Sequence, residues 1–202
     1  MSSVYLDVLK DRLYTFHPDS QGRRSAQTVL HQILLSFIKI LFPILSFTTE
    51  DLWQALPVSL KETVSVQLCE WPVLEPESKA DEAFQARWEK LLSFREKVYA
   101  KMEEARKEKV MRQPLEASVE ATLPTEEYRF FLQDTGLLKD LLIVSKLTLK
   151  EEPGQKEAQI RVAHAPGEKC VRCWHYEDKL SAEPYPGLCY RCVPVVEKLS
   201  LA

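Results

Sequence analysis

Val29-Leu30-His31-Gln32-Ile33-Leu34-Leu35-Ser36-Phe37-Ile38-Lys39-Ile40-Leu41 carries its apolar residues Val29, Leu30, Ile33, Leu34, Phe37, Ile38 and Leu41 on one side of a 3.6-residue repeat. Alternating steps of three and four residues mark a buried helical face. A helix is therefore expected from Ser25 to Phe42, closed by Pro43, which cannot donate to the helical ladder. Upstream, Val4, Tyr5, Val8, Leu9 and Leu13 describe a shorter amphipathic helix that stops near His17-Pro18, because a proline disfavours helical geometry in the residue before it. Downstream, Thr48 with Asp51 three residues on reads as an N-cap for a helix carrying Leu52, Trp53 and Leu56 as far as Pro57. Three successive helices predict an antiparallel bundle. Trp53 and Phe37 are expected in its core.

Residues 57–80 contain Pro57, Pro72 and Pro76 among short apolar fragments and read as an extended connector. A long helix returns from Asp81 to Glu108, with Phe84, Trp88, Leu91, Leu92, Arg95, Val98, Tyr99 and Met102 as its stripe and Trp88 in the core. The pattern then changes. Ala117, Val119 and Ala121 alternate with polar neighbours, Glu126 to Gln133 resembles a short helix, and Leu147/Leu149 and Ile160/Val162 mark two further strands. Glu151-Glu152-Pro153-Gly154 is expected to turn a hairpin between those two. The chain so divides into a mainly α bundle at 1–109, a small α+β junction at 110–165 and a C-terminal lobe at 166–202.

The composition narrows the functional classes. With 45% apolar and 28% charged residues among 202, the chain is that of an ordinary folded protein. Five glycines against twelve prolines disfavour a glycine-rich phosphate loop or a turn-dense β-barrel, both of which need many positions tolerant of positive φ. The apolar run Ile33 to Phe47 is interrupted by Lys39 and Pro43 and falls short of the roughly 20 residues that a membrane helix requires. Neither a basic leader nor a small-residue cleavage site opens the chain, which predicts a cytoplasmic protein. A net charge of −3 argues against gripping nucleic acid by bulk electrostatics, so any RNA contact has to use local patches. Carboxylate pairs such as Glu103/Glu104 and Glu126/Glu127 are consecutive in helical segments and read as solvated faces. No nucleotide loop, metalloprotease helix or nucleophile elbow is found, and no catalytic residue is expected in this chain.

The one strong chemical signal is Cys170-Val171-Arg172-Cys173, followed after residues 174–188 by Cys189-Tyr190-Arg191-Cys192. Two such knuckles at this separation suit a tetrahedral four-thiolate zinc site, each supplying two sulfurs. A redox dithiol would need only one knuckle, and an iron–sulfur centre could use the same ligands. A closed four-thiolate site leaves no coordination position for substrate, so one structural zinc is expected, with Cys170, Cys173, Cys189 and Cys192 as its complete ligand set. Cys69 stands apart. His164 and His175 are expected to be surface residues or neighbours of the site. In a lobe this small, metal binding contributes on the order of 10–16 kcal/mol to folding at neutral pH. Arg172 and Arg191 occupy the third position of each knuckle, and Trp174 and Tyr190 lie beside the ligands. Arginines and exposed aromatics on a rigid frame suit RNA phosphates and an unstacked base; the alternative is that Trp174 packs on the lobe and the arginines are solvated. Arg23 and Arg24 open the long helix, where positive charge opposes the macrodipole. They are expected either to pair locally with Asp19 or to bind phosphate with the helix N-terminus.

Tyr5-Leu6-Asp7-Val8-Leu9-Lys10-Asp11-Arg12-Leu13-Tyr14, Arg23-Arg24-Ser25-Ala26-Gln27-Thr28-Val29-Leu30 and Pro43-Ile44-Leu45-Ser46-Phe47-Thr48-Thr49-Glu50-Asp51-Leu52-Trp53 closely resemble the helical anticodon-binding region of bacterial-type isoleucyl-tRNA synthetases. Lys169-Cys170-Val171-Arg172-Cys173-Trp174-His175-Tyr176 and Cys189-Tyr190-Arg191-Cys192 resemble the zinc lobe of the same family. The likeness runs from Tyr5 to Val193 in the family's own order. One stretch departs from it: family members often carry glycine and serine where Met111-Arg112-Gln113-Pro114 precedes Leu115-Glu116-Ala117.

The resemblance implies the C-terminal part of an ATP-dependent aminoacyl-tRNA ligase. The His-Ile-Gly-His and Lys-Met-Ser-Lys-Ser signatures of that family's catalytic fold do not occur here. The implied partners are the anticodon arm of isoleucine tRNA and the catalytic domains of a parent enzyme; Arg23, Arg24, Arg172, Trp174 and Arg191 are the residues expected, from their own chemistry and position, to contact the RNA. Neither a membrane nor DNA is an expected partner. The competing reading is a zinc-ribbon adaptor that binds another protein.

Overall fold

The computed structural model describes residues 2–73 and 81–200; Pro76 and the end of the expected connector lie outside them. The described residues are mainly helical, as expected, and fall into two compact units. One comprises residues 1–17 with 82–202, the other residues 18–81. This grouping cuts across the sequence division at 109 and 165. The first helix joins the later part of the chain, and the three N-terminal helices do not cluster as one bundle.

In the unit 18–81, α2 (Gln21–Leu41) starts at Ser20, whose Oγ accepts the Arg23 N–H at 3.3 Å. A serine in extended geometry at this position satisfies one of the donors that a helix start leaves open. The helix ends before Pro43, as expected. α3 (Ser46–Ala55) starts three residues earlier than the Thr48 cap predicted, with Leu45 at its N-cap and no side-chain cap; Thr48 lies inside the helix. Ile38, Trp53 and Val66 form the core of this unit. The Trp53 indole N–H donates to the Thr63 carbonyl at 3.1 Å. Phe37, expected in the core, is half exposed. Residues 57–73 are less extended than predicted, because two 3-10 turns, Val58–Leu60 and Val66–Leu68, fold this segment back along α3.

In the other unit a π-helical turn (Ser2–Leu6) leads into α1 (Asp7–Thr15). The long helix α4 (Glu82–Lys107) buries Leu91, Phe94, Val98, Met102 and Ala105 at helical spacing. Trp88 is half-buried against this core, whereas Phe84 and Leu92 are exposed. The strand β1 (Ala117–Leu123) alternates buried and half-buried residues along its whole length, with Ala117, Val119, Ala121 and Leu123 inward. α5 (Thr125–Leu132) and α6 (Thr135–Leu142) follow, then β2 (Lys146–Glu151) and β3 (Gln159–His164).

The strand order is β2-β1-β3. β1 pairs in parallel with β2, with Val119 opposite Leu147, and antiparallel with β3, with Val119 opposite Val162. The expected β2–β3 hairpin is therefore not formed. β1 buries one whole face and takes the central place, so the chain after Glu151 must pass β1 and pair on its far edge. A parallel β1–β2 pair needs a crossover, which α5 and α6 provide. Their apolar faces close over the sheet: Phe131, Leu138, Leu141 and Leu142 join the α4 and β1 residues in one core, and the Phe94 and Phe131 rings lie 4.5 Å apart. Met111 of the departing stretch is buried in the same core, and Pro114–Glu116 forms a 3-10 turn into β1.

The C-terminal lobe contains β4 (Glu168–Lys169), β5 (Tyr176–Glu177) and α7 (Val193–Ser200) around a separate buried cluster of the four knuckle cysteines and Leu188. Ser145, at the entrance to β2, ties it to the junction by accepting the Tyr176 N–H at 2.8 Å while donating to the Leu115 carbonyl. No described helix is long and apolar enough to cross a membrane.

Candidate metal centre and nucleic-acid interface

The first knuckle is shaped by backbone bonds. The Cys170 N–H donates to the His175 carbonyl at 2.9 Å, and the Trp174 N–H turns back to the Cys170 carbonyl at 3.0 Å. The second closes as the Cys192 and Val193 N–H groups reach the Cys189 carbonyl at 2.9 and 3.1 Å, and Val193 begins α7. The Cys189 N–H points at Cys170 Sγ, 3.3 Å away, so the second knuckle supports a sulfur of the first.

All four Sγ atoms are buried and lie within 4.8 Å of one another, with Cys173 and Cys189 at 3.6 Å. A tetrahedron with metal–sulfur distances of about 2.3 Å sets its sulfurs about 3.8 Å apart. The donor set and its spacing therefore fit a zinc ion.

The electrostatics favour thiolates at two corners. The Cys192 thiol is pulled down to about 5, chiefly by the Cys173 thiol donating to it, with burial opposing and Arg172 assisting. Cys173 is held far above the ordinary thiol value because it shares its proton with Cys192 and is buried. At Cys170 burial raises the thiol but is outweighed by backbone N–H groups of Cys173, Arg172 and Cys189, and the net shift is downward. Cys189 is pushed up, mainly by burial. Metal entry replaces the remaining protons. Burial, then the nearby Arg191 charge, lowers the His175 pKa and keeps its ring neutral beside the site. His164 is exposed and meets Tyr176 edge-on at 5.0 Å.

The five residues expected to contact RNA are not treated alike by the fold. Trp174 is 52% exposed and sits at φ 68°, in the left-handed region that favours glycine, with the Lys169 ammonium 4.8 Å from its ring centre. A bulky residue kept in that conformation is a strained position of the kind that gathers at functional sites. It lines a cavity of about 540 Å³ together with Arg172, Tyr14 of α1, Arg95 of α4 and Lys139 of α6. Arg172 also donates to the Thr15 carbonyl at 2.6 Å and to Cys192 Sγ at 3.5 Å. Arg191 does not line this cavity: it donates to both oxygens of Asp11 at 2.9 and 2.7 Å. Arg23 and Arg24 belong to the unit 18–81 and open α2, Arg23 half-buried and Arg24 exposed. Sequence reasoning missed Tyr14, Arg95 and Lys139, which only the packing of α1, α4 and α6 places beside the knuckle. Tyr14, 75% exposed at the end of an amphipathic helix, was the visible signal among them.

Residues 167–195 match the zinc finger found in FPG and IleRS, which agrees with the donor geometry: the lobe carries a structural zinc site. Similar curated proteins are the isoleucine–tRNA ligases of Thermotoga maritima, 41% identical over 202 residues, and of Carboxydothermus hydrogenoformans, 40% identical over 205; each alignment covers 98% of this chain and 22% of the relative. That of Persephonella marina is 39% identical, covering 100% of this chain and 22% of the relative. The chain thus spans about a fifth of the length of the curated relatives it matches. Residues 1–121, running from α1 through α4 into β1, match the anticodon-binding domain of tRNA ligase, and the chain belongs to that family.

Proposed function

We propose that this chain is the tRNA-binding part of an isoleucine–tRNA ligase and docks the anticodon arm of isoleucine tRNA, without chemistry of its own. The catalytic domains of such a ligase are its second partner. Cys170, Cys173, Cys189 and Cys192 hold the zinc, and the metal keeps the first knuckle rigid. The observation that carries the reading is Trp174: a half-exposed indole held in left-handed geometry at the rim of a cavity flanked by Arg172, Arg95 and Lys139. An unstacked base finds a π-face there and a neighbouring phosphate finds positive charge, as single-stranded RNA recognition requires. Arg23 and Arg24 give a second cationic patch at the α2 N-terminus, suited to the phosphate backbone.

Titration of the chain with unmodified isoleucine tRNA and with its isolated anticodon arm, at two salt concentrations, tests the reading. Trp174→Ala should weaken binding by about 1–3 kcal/mol with little change in the salt slope, because stacking releases no counterions. Arg24→Gln should weaken binding about equally for different anticodon sequences and flatten the slope by about 1. Affinity for the anticodon arm that is absent, or that is unchanged in a zinc-loaded Trp174→Ala protein, overturns the assignment of the cavity.

A further inference from the structure

Each zinc knuckle places an arginine at its third position, and the fold sends both to one helix. Arg191 donates from Nη2 to both oxygens of Asp11, in the middle of α1. Arg172, from the other knuckle, donates to the carbonyl of Thr15 in the last turn of α1. That turn carries the negative end of the helix dipole, where cations are favoured. Asp11 is itself fixed, because the Thr15 hydroxyl donates to its Oδ1 at 2.8 Å. The Arg191 guanidinium lies 5.8 Å from the centre of the Phe16 ring, just past the helix end. Both members of the Asp11–Arg191 pair are about three-quarters buried, so water screens the pair less than a surface bridge.

We propose that Arg191 and Asp11 are positioning residues through which the metal lobe clamps α1. Arg191 is flanked in sequence by the ligands Cys189 and Cys192, so its backbone is fixed whenever the second knuckle is closed. A side chain with its base so anchored loses less freedom on pairing than one on a mobile loop. The clamp joins segments 180 positions apart in the chain and sets one wall of the cavity, since α1 contributes Tyr14, Lys10 and Thr15 to it. Zinc occupancy and the order of α1 are then linked, although no α1 residue is a ligand. The role of the cavity in RNA binding rests on the preceding section, whereas the clamp stands on the Asp11, Thr15, Arg172 and Arg191 contacts alone.

Hydrogen exchange on the zinc-loaded full chain, read separately for residues 7–16 and for β1, tests the clamp without RNA. Asp11→Asn and Arg191→Lys should each retain one zinc and leave β1 protected, while exchange in 7–16 rises about tenfold; Asp11→Glu, which keeps the charge, should recover much of the protection. Protection of 7–16 at the parent level in both metallated variants overturns the proposal. Should a variant fail to fold, the parent answers the question. Chelation must deprotect 7–16 together with the lobe, and an α1 that stays protected after metal loss overturns the clamp equally.

Discussion

At the scale of single residues, the fold assigns partners that no spacing rule reveals. Glu50 accepts hydrogen bonds from Gln54 Nε2 at 2.7 Å, Ser65 Oγ at 2.8 Å and the Val66 N–H at 3.1 Å, which fastens the 63–68 segment to α3. These donors, the Gln54 amide first and Ser65 next, hold its carboxyl below the ordinary carboxylate value despite some opposing desolvation. A carboxylate depressed in the folded state contributes its stability above the unfolded pKa and loses it as pH falls through the folded one. The melting temperature of the parent should therefore drop relative to Glu50→Gln as the solution is taken from neutral to below the ordinary carboxylate range. Parallel pH profiles of the two proteins would refute that role. The sequence reading placed Glu50 in a helix but could not see Ser65 or Val66 across the turn. The same blindness applied to Arg191, whose third position in a knuckle was visible and whose carboxylate partner was not. The four cysteines, by contrast, were legible outright, because a knuckle's geometry depends on local spacing alone.

At the scale of elements, periodicity identified α1, α2, α4, β1 and α5, and it failed wherever pairing rather than pattern decided the outcome. Leu91, Val98 and Met102 were found by their repeat, and the structure adds Phe94 between them. α6, which buries Leu138, Leu141 and Leu142, lies between Gln133 and Leu147, where the sequence reading names no element. Glu151-Glu152-Pro153-Gly154 has turn chemistry and does turn, yet it leads β3 to the far edge of β1 rather than alongside β2. Local turn residues specify that a chain bends, whereas the deeply buried face of β1 specifies which strand becomes central. The short β4–β5 ladder rests on a comparable local demand at Gly167. Its φ is 91°, and a Cβ there would lie 2.2 Å from the Glu177 carbonyl oxygen, which is backbone and cannot turn aside. Gly167→Ala should part β4 from β5 and weaken zinc retention against a competing chelator. A Gly167→Ala protein that holds its metal as tightly as the parent would show that the ladder contributes nothing to the lobe.

At the scale of the whole molecule, the natural cut lies elsewhere than the change in sequence pattern near residue 110. The sequence division ended its first domain at 109 because the helical repeat ends there. The structure instead places α4 in one core with β1 and α6, so the helix and the sheet it covers are halves of a single hydrophobic interior. α4 buries its apolar face in the interior it shares with β1, α5 and α6, as layered folds require. A fragment of residues 110–202 keeps all four knuckle cysteines but loses Leu91, Phe94, Val98, Met102 and Ala105, a third of the buried residues in the core that Val119 and Ala121 share. Removing several large core side chains at once costs more than the 5–15 kcal/mol or so that holds a typical domain together. That fragment should bind zinc and show no cooperative thermal transition for its sheet. A fragment of residues 82–202 restores the α4 side chains and should regain the transition, though α1 and its clamp are missing. Calorimetry with parallel zinc analysis separates the outcomes, and a cooperative transition in 110–202 would show that the junction folds without α4 and that the boundary belongs at 109.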